Sequence, residues 1–128
     1  MTASGAESTG GAGAPRRRLE PLPLSDVRLL PGSAFERAFT TNLNFLKRVD
    51  IDALLLTWKL ASGKRWPAGS LRLMGWEHTG SELRGHFLGH WLASAAMSYA
   101  ATGDAGLGEA IADMVAGLEA CQRSHANG

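Results

Sequence analysis

The sequence has one cysteine, Cys121, in 128 residues. One thiol forms no internal disulfide, and alone it builds no thiolate zinc site. A surplus of charge of one sign is missing as well. Lys and Arg number 13 against 12 Asp and Glu, a formal net charge of +1. Nothing in that balance points to nucleic acid or to an anionic membrane. No run approaches the roughly 18 apolar residues of a membrane span. Large apolar residues are absent from the first stretch: after Met1, residues 2–15 are Gly, Ala, Ser and Thr with one Glu and one Pro. Such a segment buries too little surface to offset the entropy of ordering it. We therefore expect a disordered tail over residues 1–18 and one folding unit over 19–128.

The one basic cluster, Arg16-Arg17-Arg18, closes that tail. It reads as a solvated charge run, or as a targeting or phosphate-contacting arm. A twin-arginine export signal needs an apolar stretch next, and Leu19-Glu20-Pro21-Leu22-Pro23 is too broken to serve. The expectation is a soluble, cytoplasmic chain with neither nucleic acid nor membrane as partner.

What is present is helical. Residues 19–32 carry three prolines and read as an extended arm, with Val27-Arg28-Leu29-Leu30 as a short strand or a segment lying across helices. Ser33 with Glu36 has capping-box spacing, and Phe35, Ala38, Phe39, Leu43 and Leu46 recur at helical spacing, which predicts a helix over 33–49. Asp50 or Asp52 starts a second helix through Leu54, Leu55, Trp58 and Leu60, ended by Gly63. Residues 64–80 lose the pattern, and a loop of that length is often functional. Ser81 is expected to cap a third helix running to about Ala101, stopped at Thr102-Gly103-Asp104. A last helix over 105–124 places Leu107, Ile111, Met114, Val115, Leu118 and Cys121 on one face. The fold class is all-α, about four helices, suited to a bundle or a helical toroid.

The chemistry concentrates in Trp76-Glu77-His78 and in Gly85-His86-Phe87-Leu88-Gly89-His90. On a helix Glu82, His86 and His90 form one stripe, flanked by Leu83, Phe87, Trp91, Ala95 and Tyr99 on the apolar side. Three readings stay open. His-x3-His presents two imidazoles for a metal, with Glu82 or Glu77 as a further ligand, though a zinc site needs a third ligand and its context. Two histidines hydrogen-bonded at a helix interface are the plain structural alternative. The third is a polar pocket where Trp76, Glu77 and the histidines meet a hydroxyl-rich ligand, since an aromatic face with a few directed polar groups suits a sugar. Gly85 and Gly89, each costing about 1 kcal/mol in a helix interior, leave one face bare for a packed neighbour or for a ligand.

These same residues carry a resemblance. Gly75-Trp76-Glu77, the run Leu83 to Ala95 with its Gly-His-x-x-Gly-His core, Tyr99-Ala100-Ala101-Thr102-Gly103-Asp104, and Met114-Val115 through Cys121-Gln122 resemble the opening of glycoside hydrolase family 127, the β-L-arabinofuranosidase group. Asp26-Val27-Arg28-Leu29 fits the segment before that family's first helix, so the resemblance covers about residues 26–125. It implies an (α/α)6 barrel, of which these helices are the first part, followed by β-sandwich domains in much longer chains. It implies retaining hydrolysis of β-L-arabinofuranosides by a zinc-held cysteine nucleophile and a glutamate acid/base, a variation on the carboxylate pair. A zinc-bound thiolate is deprotonated outright.

The resemblance places the nucleophile, the zinc ligands and the acid/base in later helices. The chain is accordingly expected to be an N-terminal fragment, inactive alone, with no catalytic residue, metal or cofactor of its own. Cys121 falls at a packing position. What carries over is substrate binding by His90, His86, Trp76 and Glu77, the two histidines foremost as hydroxyl partners. Exposed apolar helix faces lead to an expectation of self-association. The alternative from a different class is a free-standing helical carbohydrate-binding or interaction module.

Overall fold

The computed structural model describes residues 19–65 and 68–125. The tail expected over 1–18, with its arginine cluster, lies outside the described residues. The chain is all-helical: α1 Ala34–Arg48, α2 Ile51–Leu54, α3 Leu56–Ala61, α4 His86–Thr102 and α5 Ala105–Ser124, with short 3-10 turns at Leu24–Asp26 and Gly75–Glu77. Among the described residues there is no strand, so Val27 to Leu30 is not one. The arm instead lies on the helices, where Leu24, Val27 and Leu29 share a groove with Phe39 of α1 and Thr102 of α4.

The helix starts follow local chemistry. Ser33 Oγ accepts from Glu36 N–H at 3.1 Å, while Glu36 reaches back to Gly32 N–H at 2.5 Å. The capping box is therefore displaced by one residue, since the carboxylate satisfies Gly32 rather than the Ser33 amide. Asp50 Oδ1 accepts from Ala53 N–H at 3.0 Å and starts α2. The expected second helix is interrupted at Leu55, which ends α2 and precedes α3. Gly103, at φ +68°, ends α4 in the left-handed conformation and donates to Tyr99 O at 2.7 Å. Asp104 then caps α5 through Leu107 N–H at 3.0 Å.

The core lies where α1, α2, α4 and α5 converge. Leu46, Leu54, Leu55, Leu88, Trp91, Ala95, Leu107 and Met114 form one buried cluster. On α5, Leu107, Met114 and Cys121 recur seven apart and are buried, whereas Val115, expected on that face, is 51% exposed. Seven residues are two helical turns, so the inward stripe is narrower than the apolar one. On α1 only Leu46 is fully buried, and Phe35 is 78% exposed. The apolar face of α1 therefore outruns the helices that pack on it.

One ion pair ties α1 to the start of α5. Lys47 Nζ lies 2.8 Å from Asp104 Oδ2. The hydrogen bond from Lys47, and then that from Leu107 N–H, hold the Asp104 carboxyl below its ordinary value of 3.8. A carboxyl acidified by folding stabilises the native state at pH above that ordinary value, and the contribution is lost as pH falls through the lower, folded value. We expect urea midpoints of the wild type to fall between pH 5 and pH 3, and Lys47→Met to show a shallower fall. Equal slopes for the two proteins would refute the assignment.

Candidate functional site

The site is built from the turn at Gly75–Glu77 and the first turns of α4. The helix expected from Ser81 begins only at His86, because residues 82–85 are turns and Gly85 sits at φ +87°. Only glycine enters that region without strain, and a Cβ there would also meet Trp58 Nε1 at 3.2 Å. Gly85 is thus the residue before the helix, not a residue within it. Glu82 falls off the helix, and the Glu82–His86–His90 stripe shrinks to the two histidines. Leu83 is correspondingly 51% exposed rather than part of an apolar flank.

Glu77 decides where α4 starts. It is 6% exposed, and its carboxylate accepts Gly85 N–H at 2.9 Å and Phe87 N–H at 2.6 Å. A carboxylate at a helix N-terminus satisfies amides that have no partner within the helix and meets the positive end of its dipole. Both oxygens are engaged, so Glu77 is structurally a cap supplied from another segment.

Trp76, the neighbour of that cap, is 54% exposed. Its ring meets the His86 imidazole edge to face, centroids 5.3 Å apart. His86 and His90, one turn apart on α4, bring their Nε2 atoms to 3.0 Å. Both imidazoles are exposed. At Gly89, between them, a Cβ would have nothing within 4 Å, so the surface is open there. Of the four residues singled out in the sequence, Trp76, His86 and His90 form one exposed cluster, and Glu77 stands behind it in support.

Beside the cluster lies a pocket of about 270 Å³ lined by Leu73, Met74, Trp76, Glu77 and Phe87. Leu73 and Met74 carry no pattern in the sequence that marks them. Phe87 does stand between the two histidines, but its helical spacing reads as core. It is partly buried against the core and also meets Phe45 edge to face, ring centroids 6.5 Å apart. A larger concavity of about 880 Å³ lies between α3 and α5, lined mostly by apolar groups including Trp58, Val115, Leu118 and buried Cys121.

Chemically, the cluster offers an indole face with two imidazoles that donate or accept hydrogen bonds according to tautomer. Among the described residues, no group of three or more His, Cys, Asp or Glu side chains could hold a metal ion. Neither Glu82 nor Glu77 therefore serves as the third ligand that a zinc reading of the histidines requires. No helix among the described residues is long and apolar enough to cross a membrane.

A family model described as Beta-L-arabinofuranosidase, GH127 catalytic domain, matches residues 26–128. No curated protein and no solved structure matches the chain.

Proposed function

From the premise that this chain belongs to the β-L-arabinofuranosidase GH127 catalytic-domain family, we propose that it binds β-L-arabinofuranosides or related plant-type glycans through Trp76, His86 and His90. The observation that carries this reading is the cluster itself. A half-exposed indole packs on one of two imidazoles one turn apart, beside the bare backbone of Gly89. An indole face covers the apolar side of a sugar ring, and paired imidazoles suit adjacent hydroxyls. Glu77 enters as a positioning residue, since its oxygens hold the amides on either side of His86.

In this proposal the chain binds and orients glycan, and the bond-breaking groups come from elsewhere in a larger (α/α)6 barrel. Two observations support that division. The thiolate zinc implied by the family does not fit the described residues: Cys121, the chain's sole cysteine, is buried on α5 with no set of metal ligands around it. The wide apolar concavity between α3 and α5 also suits cover by further helices of the same domain. Uncovered, that surface favours self-association. One observation favours the second reading, a free-standing carbohydrate-binding module: α1, α2, α4 and α5 already close a buried core among themselves. A cooperatively unfolding monomer would support it.

The test is a titration of the chain with a β-L-arabinofuranosyl glycoside, followed by NMR shifts of the His86 and His90 rings. Trp76→Ala and His90→Ala should each raise Kd at least ten-fold, about 1.4 kcal/mol, with helix content unchanged. Wild-type affinity in both variants would remove this site from glycan binding.

A further inference from the structure

His86 and His90 present more than two hydrogen-bonding rings. Their Nε2 atoms stand 3.0 Å apart, their centroids 4.6 Å apart, and their planes meet at 81°. We propose that the pair is a two-point chelate for a divalent transition metal of tetragonal preference, binding Cu²⁺ most tightly and Ni²⁺ ahead of Zn²⁺.

The angle between the two nitrogens selects the metal. A metal at the usual ~2.05 Å from each imidazole nitrogen would view a pair separated by 3.0 Å at about 94°. Each centroid lies roughly 1.2 Å behind its nitrogen on the same line, and the 4.6 Å centroid separation then gives about 90°. Both distances are consistent with one metal position shared by the two nitrogens and seen near a right angle. Near-right angles between neighbouring ligands belong to square-planar, tetragonal and octahedral metals. Tetrahedral zinc asks for about 109°, which would require the nitrogens to part to about 3.3 Å. The general affinity order of nitrogen sites also places Cu²⁺ first.

The surroundings hold this geometry ready. One helical turn fixes the spacing of the two residues. The Glu77 carboxylate secures the amides flanking His86, and the Trp76 ring lies against the His86 imidazole. The exposed rings and the bare surface at Gly89 leave the remaining coordination positions to water. Binding needs both Nε2 lone pairs. The imidazole that donates its Nε2 proton in the free protein therefore carries that proton on Nδ1 instead, with no net change in charge. With two protein ligands and no third among the described residues, affinity is lower than at a site with three or four protein ligands. This site shares nothing with a thiolate zinc, since no cysteine is part of it. If the glycan reading holds, metal and sugar compete for the same nitrogens; the metal site does not depend on that reading.

The experiment is calorimetric titration of the full chain with CuCl₂, NiCl₂ and ZnCl₂, alongside the Cu²⁺ electron paramagnetic resonance spectrum. We expect one Cu²⁺ per chain, a tetragonal spectrum with nitrogen coupling, and Ni²⁺ bound more tightly than Zn²⁺. His86→Gln and His90→Gln should each weaken Cu²⁺ binding at least ten-fold at unchanged helicity, and His78→Gln should leave it intact. Cu²⁺ binding that survives the double substitution, or Zn²⁺ bound more tightly than Ni²⁺, overturns the proposal. Metal binding as expected, but without competition from glycoside, leaves the chelate standing and counts against the sugar site alone.

Discussion

Replacing Trp91 with alanine is expected to cost about 3–5 kcal/mol, the range for emptying a buried indole site. Trp91 is 1% exposed, within the cluster that includes Leu46, Leu88 and Met114, and its Nε1 donates to Leu46 O at 3.2 Å. It thus joins α4 to the last turn of α1 both by volume and by a hydrogen bond. A chain this size has a total stability of about 5–15 kcal/mol, so the variant should be unfolded in part at physiological temperature. Trp91→Phe separates the two contributions. It keeps most of the apolar volume and loses the bond, while Leu46 O retains the Val49 N–H, so the cost should be about 1–2 kcal/mol. Urea unfolding followed by circular dichroism measures both. An alanine variant within 1 kcal/mol of wild type would mean that the indole is not the hub of this core.

The second large effect belongs to Glu77. Hydrogen bonds to a charged group contribute about 1.5–3 kcal/mol each, and Glu77 accepts two. Glu77→Ala is expected to lower stability by about 3 kcal/mol, after water has partly replaced the lost acceptor. Glu77→Gln should recover only part of this, because its amide turns N–H groups toward a backbone N–H. The local readout is hydrogen exchange at the Gly85 and Phe87 amides, protected in wild type and fast in both variants. Because those amides flank His86, glycoside and Cu²⁺ binding should weaken together even though Glu77 touches neither. Unchanged exchange at these two amides would show that α4 starts without the carboxylate.

The histidine pair was legible before the structure because its spacing is a property of one helix: four residues apart is one turn wherever that helix lies. Glu77 was legible only as a polar residue beside a tryptophan. Nothing in Trp76-Glu77-His78 reveals that its carboxylate reaches Gly85 and Phe87, eight and ten residues further on. Ser81 looked like a cap, and its hydroxyl does accept from Leu83 N–H at 3.1 Å, but that bond closes a turn and not a helix. The left-handed Gly85 intervenes, and with it Glu82 leaves the stripe.

The amino-acid sequence by itself determined the all-helical class, the family, and the helix ends set by short-range bonds. Ser33, Asp50, Gly103 and Asp104 all act within four residues of themselves. Such bonds form or fail according to neighbours along the chain, so local pattern suffices to find them. Tertiary structure alone decided which apolar residues are covered, where α4 begins and how Trp76 meets His86. Phe35 and Val115 follow helical periodicity as well as Leu46 and Met114 do, yet only the latter pair is buried in the core. Burial depends on what lies opposite, and the spacing of residues along one helix carries no information about its neighbour.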